Sequence, residues 1–192
     1  TLNVLSVFDE DNWVQPTDSS KINIALYHGC ISGVKTDIGF RMSHGDHDAS
    51  IFKNFDFAFL GDIHKTDQSV DMKGRIRYPG STIQQNHGET DDKGILIWDI
   101  EGRWNWKVAH FPFRNPKPFV TIEIDKEAKI PELDIPEGAR IRLAFNDKFP
   151  LDIVTKLKDV ARHRFKPESI THIDRSLVGP AGGQNGLAIK KE

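Results

Sequence analysis

Apolar positions in the first part of the chain come in short runs and in alternation, which is typical of strands rather than of long helices. Residues 3–8 alternate, and residues 21–29 form a β-branched apolar run that ends at Gly29. Residues 57–60 are almost continuously apolar, the pattern of a strand buried on both faces. A further strand is predicted over residues 75–81, broken by Pro79-Gly80.

Between these strands, residues 43–55 have the pattern of a polar loop that leads into a short helix. Asp46 or Asp48 would cap that helix, with Phe52 among the residues on its apolar side. Residues 94–113 predict two strands joined by a tight turn at Glu101-Gly102.

The pattern changes at two closely spaced prolines, Pro116 and Pro118, which predict a domain edge. Beyond it the order of elements is β-β-α-β. Strands are predicted over 119–125, 140–146 and 169–175, and the helix over 150–165. The helix has Leu151, Val154, Leu157, Ala161 and Phe165 on its apolar side. The glycine-rich end, 179–192, is predicted to be mobile.

Composition indicates a globular protein of one large or two small domains. The 192 residues are 38% hydrophobic and 28% charged, with a net charge of -2, so any contact with nucleic acid needs a local basic patch. The single cysteine, Cys30, excludes an internal disulfide and suits a reducing compartment. Neither a signal peptide nor a membrane span is predicted. Because the chain begins at Thr1 without a methionine, we interpret it as a piece of a longer protein or a trimmed chain.

The residues that follow the two best strands have the donor types of a metal site. His28 ends the strand over 21–29, and Asp62 and His64 follow the strand over 57–60. If these strands are neighbours in one sheet, the three side chains reach the same crevice at its carboxyl edge. A carboxylate with two imidazoles suits zinc, manganese or iron. The alternative is that Gly61-Asp62 is a turn and that both histidines are ordinary polar residues at strand ends.

The order of motifs resembles the SbcD-type DNA repair nucleases of the calcineurin-like metallophosphoesterase superfamily. The matching stretches are "ALYHG", "DFAFLGDIHKTDQ" and "IRYPGSTIQQNHGETDDKGILIWDIEG", within about residues 21–125. The resemblance implies an α/β fold: residues 1–115 would be the second half of a layered metallophosphoesterase sandwich, and residues 116–192 a small α+β capping domain. It also implies that His28, Asp62 and His64 bind metal.

The same resemblance implies an activity and its partners. The parent would hydrolyse DNA phosphodiester bonds at a two-metal manganese site. It would act in the cytoplasm of a bacterial or phage-infected cell, as a homodimer with an SMC-like ATPase of the SbcC kind. The capping domain would contact DNA phosphates through the basic residues of its helix, which are Lys156, Lys158, Arg162 and Arg164.

Two departures from the family pattern limit this expectation. The family has a histidine where this chain has Asp62, whose charge favours a harder ion such as manganese. The family's first motifs, Asp-x-His, Gly-Asp-x-x-Asp and Gly-Asn-His, do not occur before His28. We therefore expect the chain to be inactive, or nearly so, on its own.

Other interpretations stay open at this stage. The chain could belong to a phosphatase or phosphodiesterase that acts on small molecules, or be a non-catalytic module that binds DNA or protein. The acidic and histidine-rich stretch at 43–48 is interpreted as a polar loop, and Trp104 and Trp106 as packing residues. The basic helix face is equally typical of a solvated surface.

Overall fold

The computed structural model describes residues 1–176, which fall into two compact units. The first unit is Thr1–Asn115, and the second begins at Pro116. The boundary lies at the two prolines where the sequence predicts a domain edge. The end of the chain, for which mobility was predicted at 179–192, lies outside the described residues.

A five-stranded mixed sheet forms the centre of the first unit, with strand order β1-β2-β3-β5-β4. Strands β1, β2, β3 and β5 are parallel to their neighbours, and β4 is antiparallel to β5. The bounds are β1 Leu2–Leu5, β2 Ile24–His28, β3 Phe57–Gly61, β4 Gln68–Ser69 and β5 Ile76–Tyr78.

The apolar run of β3 is buried on both faces, as its sequence predicts. Ala58 and Leu60 enter a core cluster that also holds Tyr27 and Tyr78. On the opposite face, Phe57 packs edge-on against Trp98 and Trp106, with ring centroids 6.0 and 5.7 Å apart. These tryptophans belong to a hairpin of β6 Gly94–Ile100 and β7 Trp106–Pro112.

The turn of this hairpin is wider than the tight turn predicted at Glu101-Gly102. Five residues separate the strands, because Ile100 pairs with Trp106 as the last rung of the ladder. Trp106 packs as expected, whereas Trp104 in the turn is 80% exposed, with the Arg75 guanidinium 4.6 Å from its ring centroid.

The chain has less helix than an α/β fold usually has. The expectation of an α/β fold is therefore confirmed only in part. The described chain is strand-rich, with mixed sheets and one α-helix within residues 1–176. The parallel strands of the first unit are joined by loops with single 3-10 turns at Glu10–Asn12 and Ala49–Phe52. Neither of the two predicted capping residues caps the 3-10 turn at Ala49–Phe52. Asp48 makes no side-chain capping hydrogen bond, and Asp46 accepts a hydrogen bond from the Cys30 backbone N–H.

The second unit has a three-stranded parallel sheet, in the order β10-β9-β8, and the helix α1. Its bounds are β8 Phe119–Ile124, β9 Arg140–Phe145, α1 Leu151–Phe165 and β10 Ser169–Asp174. Val154, Leu157, Ala161 and Phe165 of α1 are buried as predicted, but Leu151 at its first position is 75% exposed. None of the helices within residues 1–176 could span a bilayer; α1 has 15 residues.

Candidate functional site

The two strands that carry the predicted site end side by side. β2 and β3 are parallel, and His28 at the end of β2 pairs with Gly61 at the end of β3. The backbone N–H of Gly29 donates to the carbonyl of Gly61 over 3.3 Å. His28-Gly29 and Gly61–His64 therefore leave the sheet at one edge, where open sheets of parallel strands usually place their sites.

His28 lies directly over Gly61. A Cβ atom on Gly61 would come within 2.5 Å of His28 Nδ1, so a side chain there would displace the imidazole. Strand alternation places His28 on the face of Leu26 and Phe59. These residues line an open depression of about 560 Å³ together with Val4, and we call it the sheet-face depression.

Asp62 and His64 line a different cavity of about 370 Å³, whose walls also include Asp37, Ile38, Phe40 and Glu89. We call it the His64 cleft. Asp62 has φ of 97°, a left-handed conformation that is strained for a non-glycine residue. Burial, with Asp62 as a further cause, raises the pKa of the Cys30 thiol and of the Tyr78 phenol.

His64 is fixed by a carboxylate far from it in sequence. Its Nδ1 lies 2.9 Å from Oε1 of Glu89, and the Glu89 side chain is only 5% exposed against 44% for His64. Since Nδ1 is engaged, Nε2 is the ring nitrogen available to a ligand in the cleft.

A fully buried lysine lies behind this pair. Lys93 is 1% exposed, and its ammonium donates to Asp37 over 2.6 Å and to the His64 carbonyl over 2.7 Å. It also lies 3.6 Å from Glu89. Burial alone would raise the pKa of Glu89, but the hydrogen bonds from His64 and the Gln85 N–H, with the Lys93 charge, hold that pKa below its usual value.

The structure brings Asp62 and His64 to one cleft but places His28 on the sheet-face depression. Within residues 1–176, no three His, Cys, Asp or Glu side chains are grouped so that they could hold a metal ion. The donor types suit a divalent metal, but these residues do not form a metal centre by themselves. Their role as ligands stays a prediction.

The predicted DNA-binding residues are all on α1, and three of them have partners within the second unit. Lys156 pairs with Asp152 at 3.6 Å and Arg162 with Asp159 at 2.6 Å. Arg164 lies 5.0 Å from the ring centroid of Phe165, and Lys158 is partly buried. Surface pairs of this kind are weak, so they leave the side chains able to exchange partners.

The acidic and histidine-rich loop has a structural role. Asp46 accepts from the Cys30 backbone, and His47 Nδ1 lies 2.9 Å from the Tyr27 hydroxyl and its Nε2 3.3 Å from Glu10. This loop therefore ties the chain together, as the interpretation of a polar loop expects.

Sequence reasoning missed Asp37, Glu89 and Lys93. Their signal was weak: Glu89 and Lys93 lie four residues apart in the polar stretch "HGETDDKG", which has the composition of an ordinary loop. Asp37 is in a different loop, and its contact with Lys93 spans 56 residues.

Comparison with known proteins gives a distant viral relative but does not show a family. No protein-family model matches the chain. "Uncharacterized protein R555" of Acanthamoeba polyphaga mimivirus is 33% identical over 150 residues. The match covers 72% of this chain but 11% of the viral protein, so the chain corresponds to a small part of that relative's length.

Proposed function

We propose that this chain is part of a metal-dependent DNA nuclease of the SbcD type. Residues 1–115 would be the second half of the layered metallophosphoesterase sandwich, and the unit from Pro116 its capping domain. The proposal rests on the ordered motifs "ALYHG", "DFAFLGDIHKTDQ" and "IRYPGSTIQQNHGE", which form β2, β3 and β5 with the turns that follow them.

One observation supports it above the others: the register of β2 and β3. Because His28 pairs with Gly61, the two segments with predicted ligands emerge together from parallel strands. Two ordinary turns require neither a strained Asp62 nor a His64 held by a carboxylate, and both accompany this register here. Strain and anchoring of this sort are more frequent at functional sites than elsewhere.

The described residues, 1–176, do not supply a complete set of metal ligands. Because residues 1–176 hold no complete metal-binding group, we propose that His28, Asp62 and His64 are partial ligands for manganese, to be completed by polypeptide outside these 192 residues. The viral relative is long enough to include such a segment. A homodimer and an SMC-like ATPase partner belong to the same proposal.

The test compares this chain with the longest reading frame that contains it. The 192-residue chain should not cleave DNA with manganese, whereas the longer protein should, and His64→Ala should abolish its cleavage. His44→Ala is the matched control, since His44 is exposed in the polar loop. Cleavage by the short chain would refute the need for further ligands, and cleavage by the longer protein carrying both His28→Ala and His64→Ala would refute the proposed site.

A second candidate is a non-catalytic module that binds DNA or protein. The specific observation in its favour is the lack of a metal-binding group among the described residues. The reading frame separates the two candidates. An upstream Asp-x-His and Gly-Asn-His would support the nuclease, and manganese-independent DNA binding without cleavage by the longer protein would support the module.

A further inference from the structure

We propose that Glu89 is a positioning residue, which holds His64 in the Nδ1–H tautomer and so directs the Nε2 lone pair into the His64 cleft. The 2.9 Å contact between His64 Nδ1 and Glu89 Oε1 is the starting point. An ionised carboxylate can only accept, so the ring nitrogen that faces it has to be the donor.

The surroundings of Glu89 keep this carboxylate both ionised and fixed. Its oxygens accept from the Asn86 side chain over 2.8 Å and from the Gln85 N–H over 3.0 Å. Lys93 adds a positive charge 3.6 Å away. With its side chain 5% exposed, Glu89 has little freedom to turn away from His64.

His64 is held at its backbone as well as at its ring. The Lys93 ammonium donates to the His64 carbonyl over 2.7 Å, and the same ammonium is anchored by Asp37. A single buried network thus fixes the position of the residue and the rotation of its imidazole. Burying two carboxylates and an ammonium carries a desolvation penalty. A surface histidine without a function would not require such a network.

In this tautomer Nε2 could bind a divalent cation, together with further ligands that the described residues do not supply. A carboxylate that accepts from one imidazole nitrogen raises the basicity of the other and sets the tautomer that a metal requires. This deepens the proposed function, and its catalytic meaning rests on that proposal. The tautomer itself is a property of the metal-free chain and can be measured without DNA or manganese.

The test is nitrogen NMR of the uniformly labelled chain at a pH about two units above the ordinary histidine pKa of about 6.5, where imidazoles are neutral. Long-range proton–nitrogen correlations distinguish the two tautomers. His64 should be predominantly Nδ1–H in the wild type and predominantly Nε2–H, the form preferred in water, in Glu89→Ala. The signal of His64 is assigned by its loss in His64→Ala.

A matched variant, Glu10→Ala, removes the carboxylate 3.3 Å from His47 and should leave His64 unchanged. Glu89→Asp keeps a charge opposite Lys93, which protects the fold, but draws the carboxylate back by one methylene and should also lose the Nδ1–H preference. A wild-type His64 that is mostly Nε2–H, or an Nδ1–H preference that survives in a folded Glu89→Asp or Glu89→Ala, would overturn the inference. Neither result would bear on whether the longer protein is a nuclease.

Discussion

The two units bury different kinds of side chain. The first unit encloses five polar or charged residues, which are Asn23, Ser81, Gln84, Lys93 and Asn115. In the second unit, every buried side chain between residues 116 and 176 is apolar. A polar interior needs partners with good geometry, and it is costly when one of them is lost.

This difference separates a scaffold from a candidate site. The core of the second unit follows from alternation in β8 and β9 and from the helical spacing of α1. In the first unit the buried ammonium of Lys93 joins its own loop to Asp37 in a second loop and to His64, three residues after the end of β3. A network of this kind can hold a side chain in one position, which is the role we propose for Glu89 toward His64.

The largest effect should come from Lys93→Met. It leaves the side chains of Asp37 and Glu89, 6% and 5% exposed, without their shared cation. Breaking a buried ion pair by removing one partner costs about 3–5 kcal/mol, so the free energy of unfolding should fall by that amount. All four tryptophans lie in the first unit, so fluorescence during denaturant unfolding reports on it.

The matched control is Lys129→Met in the second unit. Lys129 pairs with Glu127 at 3.0 Å, but both side chains are mostly exposed, so the loss should be at most about 1 kcal/mol. Equal effects of Lys93→Met and Lys129→Met would contradict the contrast between the two units.

A cavity in the apolar core of the second unit should rank next. Leu143 in β9 is fully buried, and Leu143→Ala should destabilise the second unit by about 3 kcal/mol through lost transfer energy and a residual cavity. The helical circular dichroism signal reports on this unit, because α1 is the one α-helix in the described residues. A loss below about 1 kcal/mol would show a core that collapses easily around the missing side chain.

The contrast between the two units also decides how much of the structure the sequence predicts. Strand alternation located β8 and β9, and helical spacing located α1, because each depends on residues close in sequence. The ends of β2 and β3 were also predictable, since His28 and Gly61 follow apolar runs. The contact of Lys93 with Asp37 joins residues 56 apart in two polar loops, and no periodic pattern encodes such a contact.

The same limit explains the expectations that the structure modified. The α/β expectation came from the family resemblance, and connections between parallel strands are usually helical. The first unit joins its parallel strands by loops with single 3-10 turns instead. The convergence of His28 with His64 was inferred from the sheet edge alone. Strand ends meet at that edge, but the face on which each side chain emerges depends on the backbone at Gly61 and at Asp62, where φ is 97°.

A smaller loss is expected for Tyr78→Phe in the first unit. The Tyr78 hydroxyl donates to the Gly29 carbonyl over 2.6 Å and accepts from the Ile31 N–H over 3.0 Å. Removing it leaves both buried backbone groups without this partner, which should cost about 2 kcal/mol in tryptophan-detected unfolding. An unchanged midpoint would mean that these groups find other partners.

The two tyrosines also limit the stability of the first unit at alkaline pH. Burial, and then the Asp46 carboxylate, raises the pKa of Tyr27 to about 12, and burial raises the pKa of Tyr78 as well. A raised pKa stabilises the fold fully below the ordinary value of about 10, and that contribution is lost as the pH rises through the folded pKa. Phenolate absorbance should therefore stay flat near pH 10 and rise together with unfolding. A normal titration of either tyrosine near pH 10 would contradict the buried placement of its ring.

The smallest effect concerns the second unit and decides whether it is more than a scaffold. If α1 contacts DNA, Arg162→Ala in the longer protein should lower the slope of log affinity against log salt by about one unit. Asp159→Asn is the informative partner variant, because it releases Arg162 from its 2.6 Å pair and should strengthen binding at low salt.

These two variants together separate a phosphate contact from general electrostatics. Both change the net charge by one unit, in opposite directions, so a uniform field would shift the affinity without changing the number of ions released. A direct contact by Arg162 changes the slope on its removal and leaves the slope unchanged in Asp159→Asn. Identical slopes in wild type, Arg162→Ala and Arg164→Ala would assign the basic face of α1 to solvent. The second unit would then be apolar inside and inert on this face, and the candidate chemistry would belong to the first unit alone.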